Sequence, residues 1–100
     1  MKHIYTLEQF KKEIYYLYHE SDGYGVHQLF DTDFEGGCPC AHGYLIIDKV
    51  RYDIDTHCWR GIGHNTLKVR GGRGKKRQEI IDLLKLALDK QDWYGEYEVI

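Results

Sequence analysis

Residues 66–88 read TLKVRGGRGKKRQEIIDLLKLAL, and the hydrophobic period changes in the middle of that run. Leu67 and Val69 alternate with Thr66, Lys68 and Arg70, the period-two pattern of a strand with one wet face. Gly71, Gly72 and Gly74 interrupt it. From about Lys76 to Gln91 the apolar residues Ile80, Ile81, Leu83, Leu84, Leu86, Ala87 and Leu88 recur at helical spacing. They cover roughly 220° of the wheel at ~100° per residue, leaving Gln78, Asp82, Lys85 and Asp89 as the polar strip. A helix apolar over so wide an arc is expected to be covered twice. A sheet supplies one cover, and the first helix or a second copy of the chain, as a homodimer, supplies the other.

Working outward, Val50, Tyr52 and Ile54 alternate with Arg51, Asp53 and Asp55, which predicts another half-wet strand. Tyr44 to Ile47 is apolar throughout and reads as strand. Asp48-Lys49 between them fits either a hairpin turn or one strand running straight through. Thr6 to about Ser21 predicts the first helix: Thr6 and Gln9 make a capping box, and Leu7, Phe10, Ile14, Leu17 and Tyr18 share a face. Tyr16 projects opposite that face. Tyr24 to Phe30 reads as a short strand, Asp31 to Gly43 as a long loop, Gly61 to Asn65 as a turn, and Trp93 to Ile100 as a last strand. The expectation is an α+β sandwich forming a single domain over residues 1–100. Its antiparallel sheet has three to five strands and its two helices fall in the order α-β-β-β(-β)-α-β.

The charge is unevenly placed. Between Thr56 and Gln78 lie seven basic residues, Arg60, Lys68, Arg70, Arg73, Lys75, Lys76 and Arg77, and no acidic one. The remaining seven of the 14 Lys and Arg face all 16 Asp and Glu, a net −9. A formal charge of −2 thus hides a basic stretch in an acidic protein, an asymmetry that reports on partners rather than on fold. No apolar run approaches the ~18 residues of a membrane span, and the start turns polar at Thr6. With an odd count of three cysteines, the expected address is cytoplasmic, with no membrane partner.

Arg73, Lys75, Lys76 and Arg77 stand where the second helix begins. That end already carries about half a positive charge from its aligned peptides, and acidic or hydroxyl residues are favoured there. A local choice that conflicts with its own element points to function. A bound anion removes the conflict, because helix amides, the loop at Gly72 and Gly74, and four cations then face it together. The competing reading is a solvated loop, with Glu79 and Asp82 partly neutralising the helix end.

No Ser or Thr follows Lys75 or Lys76, so this is no P-loop, and the glycines lack dinucleotide-fingerprint spacing. Arg73-Gly74-Lys75 resembles the start of the coenzyme A pyrophosphate loop of the N-acetyltransferase family, which needs further glycines where this chain has Lys76 and Gln78. The order helix, three strands, glycine-rich basic loop, helix resembles the double-stranded RNA-binding domain. Gly72-Arg73-Gly74-Lys75-Lys76 resembles that family's phosphate-gripping loop, and Gly37-Cys38-Pro39-Cys40-Ala41-His42 is similar to its first hairpin. The resemblance implies phosphate contacts at Lys75 and Lys76. The chain departs from the family in its Leu/Ile-rich second helix, its added terminal strand and its long spacing from His42 to Lys75.

Cys38, Cys40, His57 and His64 together offer four ligands of the kinds zinc takes. C-x-C is not the usual spacing, and solvated histidines with small buried cysteines are the commoner use, so no cofactor is expected. The leading expectation is a non-enzymatic binding protein that contacts nucleic acid, or a nucleoprotein complex, through residues 60–77. Neutralising four or five phosphates would give a salt slope of about −4. One alternative is a protein-directed inhibitor or adaptor, in general style similar to the small proteins phages use against host defences, for which the tyrosines suit an interface. The other is an acyl-coenzyme A or nucleotide-binding enzyme.

Overall fold

The computed structural model describes residues 4–20, 41–59, 64–91 and 96–100. In chain order the elements are β1 (Ile4–Tyr5), α1 (Leu7–Glu20), β2 (Ala41–Ile47), β3 (Val50–Trp59), β4 (His64–Arg70), α2 (Gly74–Gln91) and β5 (Tyr97–Val99). The class is α+β with two helices, and the five strands lie side by side in the order β1-β2-β3-β4-β5. The sheet is mixed rather than purely antiparallel. β2–β3 and β3–β4 are antiparallel, whereas β1–β2 and β4–β5 are parallel.

The parallel joins follow from the connections. A strand that leads through a helix to its neighbour returns in the same direction, and such crossovers are almost always right-handed. Both helices here make that crossing, α1 from β1 to β2 and α2 from β4 to β5. Because β1 and β4 point the same way and both steps move the same way across the sheet, both helices fall on one face. They lie side by side and parallel. Lys11 pairs with Glu79 at 2.8 Å near their starts, and Lys90 donates to the Tyr18 carbonyl at 2.6 Å near their ends. Lys90 also sits 4.0 Å over the Tyr18 ring.

One core fills the space between helices and sheet. Phe10, Ile14 and Leu17 come from α1, Ile80, Ile81, Leu84, Ala87 and Leu88 from α2, and Leu45, Ile47, Tyr52, Ile54, Leu67, Val69 and Tyr97 from the strands. The α2 arc is therefore covered by the sheet and by α1, except at Leu86, which stays 51% exposed. The alternate strand residues line the other face of the sheet, which no described helix covers. Arg51 lies 4.3 Å over the Tyr44 ring and pairs with Asp53 at 3.1 Å.

One choice left open by the sequence is settled and several boundaries move, for physical reasons. Asp48 and Lys49 both have positive φ, 49° and 68°, so they are the centre of a hairpin turn whose twist matches the strands. β2 takes in Ala41 to Gly43, assigned above to the loop, because the long β3 offers Thr56, Asp55 and Ile54 as ladder partners. The helix α2 starts two residues earlier than its apolar pattern, at Gly74. The strand expected over Tyr24 to Phe30 lies outside the described residues.

Candidate anion-binding site at the amino end of the second helix

Both crossovers start at the same end of the sheet, so the amino ends of α1 and α2 are neighbours there. The β2–β3 turn projects between them. Thr6 caps α1: the Gln9 amide donates to Thr6 Oγ1 at 3.2 Å and the Thr6 amide to Gln9 Oε1 at 2.9 Å. Asp48 serves both helices. Its Oδ1 accepts from the Leu7 amide at 3.0 Å, and its Oδ2 accepts from Lys76 Nζ at 2.8 Å. The Lys76 bond, and after it the Leu7 amide, holds the Asp48 carboxyl below the usual aspartate range. The same bond holds the Lys76 ammonium above its ordinary value.

Asp48 is thus an anion of the chain itself, placed where two helix dipoles converge. It answers part of the charge conflict seen in the sequence. Lys76 is paired, and Arg70 reaches Asp55 at 3.2 Å across the open face. Arg77 turns inward, its Nη2 donating to the Val69 carbonyl at 2.8 Å, while its Nη1 is buried without an acceptor among the described residues. Arg73 and Lys75 are different. They are exposed and make no ion pair or hydrogen bond among the described residues. The first turn of α2 contains no acidic residue.

Lys68 is exposed on the open face, its Cα opposite Asp55, and also makes no ion pair among the described residues. Lys49, outside the basic stretch of the sequence, joins the group because the turn brings it beside Asp48 and hence Lys76. Chain distance hid it, and only the hairpin reading of Asp48-Lys49 would have pointed to it. The exposed cations at this end are Lys49, Arg51, Arg70, Arg73, Lys75 and Lys76, with Lys68 further along β4.

The loop between β4 and α2 needs its glycines. Gly71, Gly72 and Gly74 have φ of 104°, 64° and 71°, values that L side chains rarely adopt. A Cβ on Gly72 would sit 2.3 Å from Tyr52 Cε1 and 2.8 Å from its hydroxyl oxygen. The Tyr52 ring therefore lies directly beneath the loop. Burial, above all other causes, pushes its phenol up from the ordinary value. Val50, Tyr52, Gly72, Arg73 and Lys76 line an open cavity of about 330 Å³ at this corner.

Arg60, Cys38 and Cys40 lie outside the described residues, as does the side chain of His64. His57 is exposed on the open face. Among the described residues no three His, Cys, Asp or Glu side chains gather as a metal site would need. No helix among them is long and apolar enough to cross a membrane. The chain matches no protein-family model, no curated protein and no solved structure.

Proposed function

We propose that this is a non-enzymatic protein that binds the phosphate backbone of a nucleic acid, free or within a nucleoprotein complex, at the end of the sheet where α2 begins. One observation carries the reading. Arg73 and Lys75 stand exposed and unpaired among the described residues, at the start of an 18-residue helix whose first turn holds no acidic residue. Lys49 in the β2–β3 turn and Lys68 on β4 add two more exposed cations. Arg70 is paired with Asp55 at the surface, and such a pair is weak enough to be exchanged for a phosphate. Phosphate contacts of this kind give affinity without reading sequence.

The test is a titration of labelled duplex RNA, duplex DNA and single strands over a salt series. Neutralisation by about four cations predicts that log affinity falls against log salt with a slope of −3 to −4. The double substitution Arg73→Glu and Lys75→Glu should weaken binding at low salt by about a hundredfold. A slope near zero for every nucleic acid removes the reading.

A second reading has its own observation. Tyr15 and Tyr16 stand 69% and 58% exposed on the outer side of α1, away from the basic corner. Aromatic residues with low ordering cost suit a protein partner. Capture of the same partner protein before and after nuclease treatment, abolished by Tyr15→Ala with Tyr16→Ala, would favour it.

A further inference from the structure

The cavity beneath the glycine loop is lined by a hydroxyl that no described residue engages. Tyr52 is 1% exposed, yet no hydrogen bond engages its hydroxyl among the described residues. The hydroxyl oxygen itself is not sealed off: it reaches the open cavity, where a ligand oxygen can replace water as its acceptor. The Tyr52 ring lines the cavity, and its hydroxyl end lies against Gly72. The same cavity is bounded by Arg73 and Lys76. A neutral donor, a guanidinium and an ammonium therefore surround one space at a helix start, where the peptide dipoles add positive potential.

We propose that this cavity seats a single phosphodiester group of the bound strand, with the Tyr52 hydroxyl donating to one of its non-bridging oxygens. The assignment rests on the nucleic-acid reading above and gives that surface its one fixed point. Arg73 supplies two donors in a plane that matches two phosphate oxygens. Lys76 stays paired with Asp48 and contributes as a point charge from the rim. Two cations less one carboxylate leave one positive charge, which suits the single charge of a phosphodiester better than the two of a terminal phosphate. A phenol is protonated at neutral pH, and burial pushes this one further up, so it acts as a donor there. Arg77, beneath the same turn, acts on the phenol electrostatically and adds positive potential without reaching the cavity rim.

The substitution Tyr52→Phe keeps the ring, and with it the packing under Gly72, and removes only the donor. With labelled duplex and single-stranded oligonucleotides at low salt, the variant should bind roughly three- to tenfold more weakly. Its salt slope should stay that of the parent, since no charge has changed. Arg73→Ala should instead lower both the affinity and the slope, the latter by about one. An equal melting temperature for Tyr52→Phe and the parent certifies the fold. If that temperature falls, an oligonucleotide carrying methylphosphonates decides, because the penalty of the variant must vanish with the charged oxygens.

Equal affinity of the parent and Tyr52→Phe for every oligonucleotide overturns the phosphate seat while leaving the wider basic band in place. Absence of any salt-dependent binding by the parent overturns both. A third arm uses inorganic phosphate alone. Thermal stabilisation by phosphate that Tyr52→Phe abolishes, without oligonucleotide binding, would assign the cavity to a free phosphate and overturn the strand assignment.

Discussion

Asp48 accepts a hydrogen bond from the Lys76 ammonium at 2.8 Å, and that bond ties the β2–β3 turn to the first turn of α2. The other oxygen of the same carboxylate holds the Leu7 amide at the start of α1. One side chain thus fixes three elements at the end of the sheet where the cations gather. The turn conformation makes this reach available, because Asp48 is in the left-handed region that Asp tolerates better than most residues.

The pairing predicts an acid-side change in stability. The folded Asp48 carboxyl ionises below its unfolded value of about 3.9, so its contribution is present above that value and lost as pH falls through the lowered one. Lys76 has the opposite sign: its contribution is full below about 10.4 and disappears as pH rises through the raised value. In urea unfolding, Asp48→Asn should be less stable than the parent at pH 7, and the gap should close as pH drops below about 4. A gap that persists unchanged to pH 2 would contradict the role of the charge.

The three loop glycines should differ in a definite order. A Cβ at Gly71 would lie 2.3 Å from the backbone oxygen of Arg51, which cannot move without disturbing β3. At Gly72 the obstacle is the buried Tyr52 ring, and at Gly74 nothing lies within 4 Å. Gly74→Ala should therefore cost only the left-handed penalty of about 1–2 kcal/mol. Gly72→Ala should cost more and Gly71→Ala most, measured as denaturation midpoints. Equal losses at all three would mean that backbone conformation alone sets the cost.

Much of this arrangement was legible in the sequence. The change of period across Gly71 to Gly74 placed β4 and α2, and Thr6 with Gln9 announced the start of α1. The parallel edges were not legible: β1 is only two residues, Ile4 and Tyr5, too short for any alternation to register. Its pairing with Ile46 and Ile47 depends on where α1 delivers the chain. At the site, the cluster of cations could be read but their partners could not. Asp48 is 28 residues from Lys76, and Asp55 is 15 from Arg70. The helical wheel does separate Arg77 from Lys75: Arg77 stands three, four and seven residues before the buried Ile80, Ile81 and Leu84, on the apolar side, whereas Lys75 projects about 200° away from it.

That difference between neighbours gives a third prediction. Lys75→Ala should leave the melting temperature within about 2 °C and reduce the salt slope of oligonucleotide binding by about one. Arg77→Ala should do the reverse. It deprives the Val69 carbonyl of its donor at the edge of the core and should lower the melting temperature by about 5 °C, with the slope unchanged. A slope that responds to Arg77 and not to Lys75 would mean that the outward and inward roles are exchanged.

The far end of α2 carries a comparable tie. Asp89 Oδ1 accepts from the Tyr97 amide at 2.6 Å, and its other oxygen pairs with Lys85. Tyr97 begins the three-residue edge strand β5, whose ladder to β4 is completed by the Ile100 amide donating to the Leu67 carbonyl at 3.0 Å. A strand this short has few bonds to share a loss, so one charged acceptor at its start matters more than it would in β3. Asp89→Ala should cost about 1.5 kcal/mol, the lower range for a hydrogen bond to a charged group. The effect should also be local. Exchange of the Val99 and Ile100 amides should accelerate at least about tenfold while Tyr52 and Ile54 in β3 keep their protection. Uniform acceleration across the sheet would show that β5 opens only with the whole fold, and that Asp89 stabilises the protein globally rather than fastening its edge.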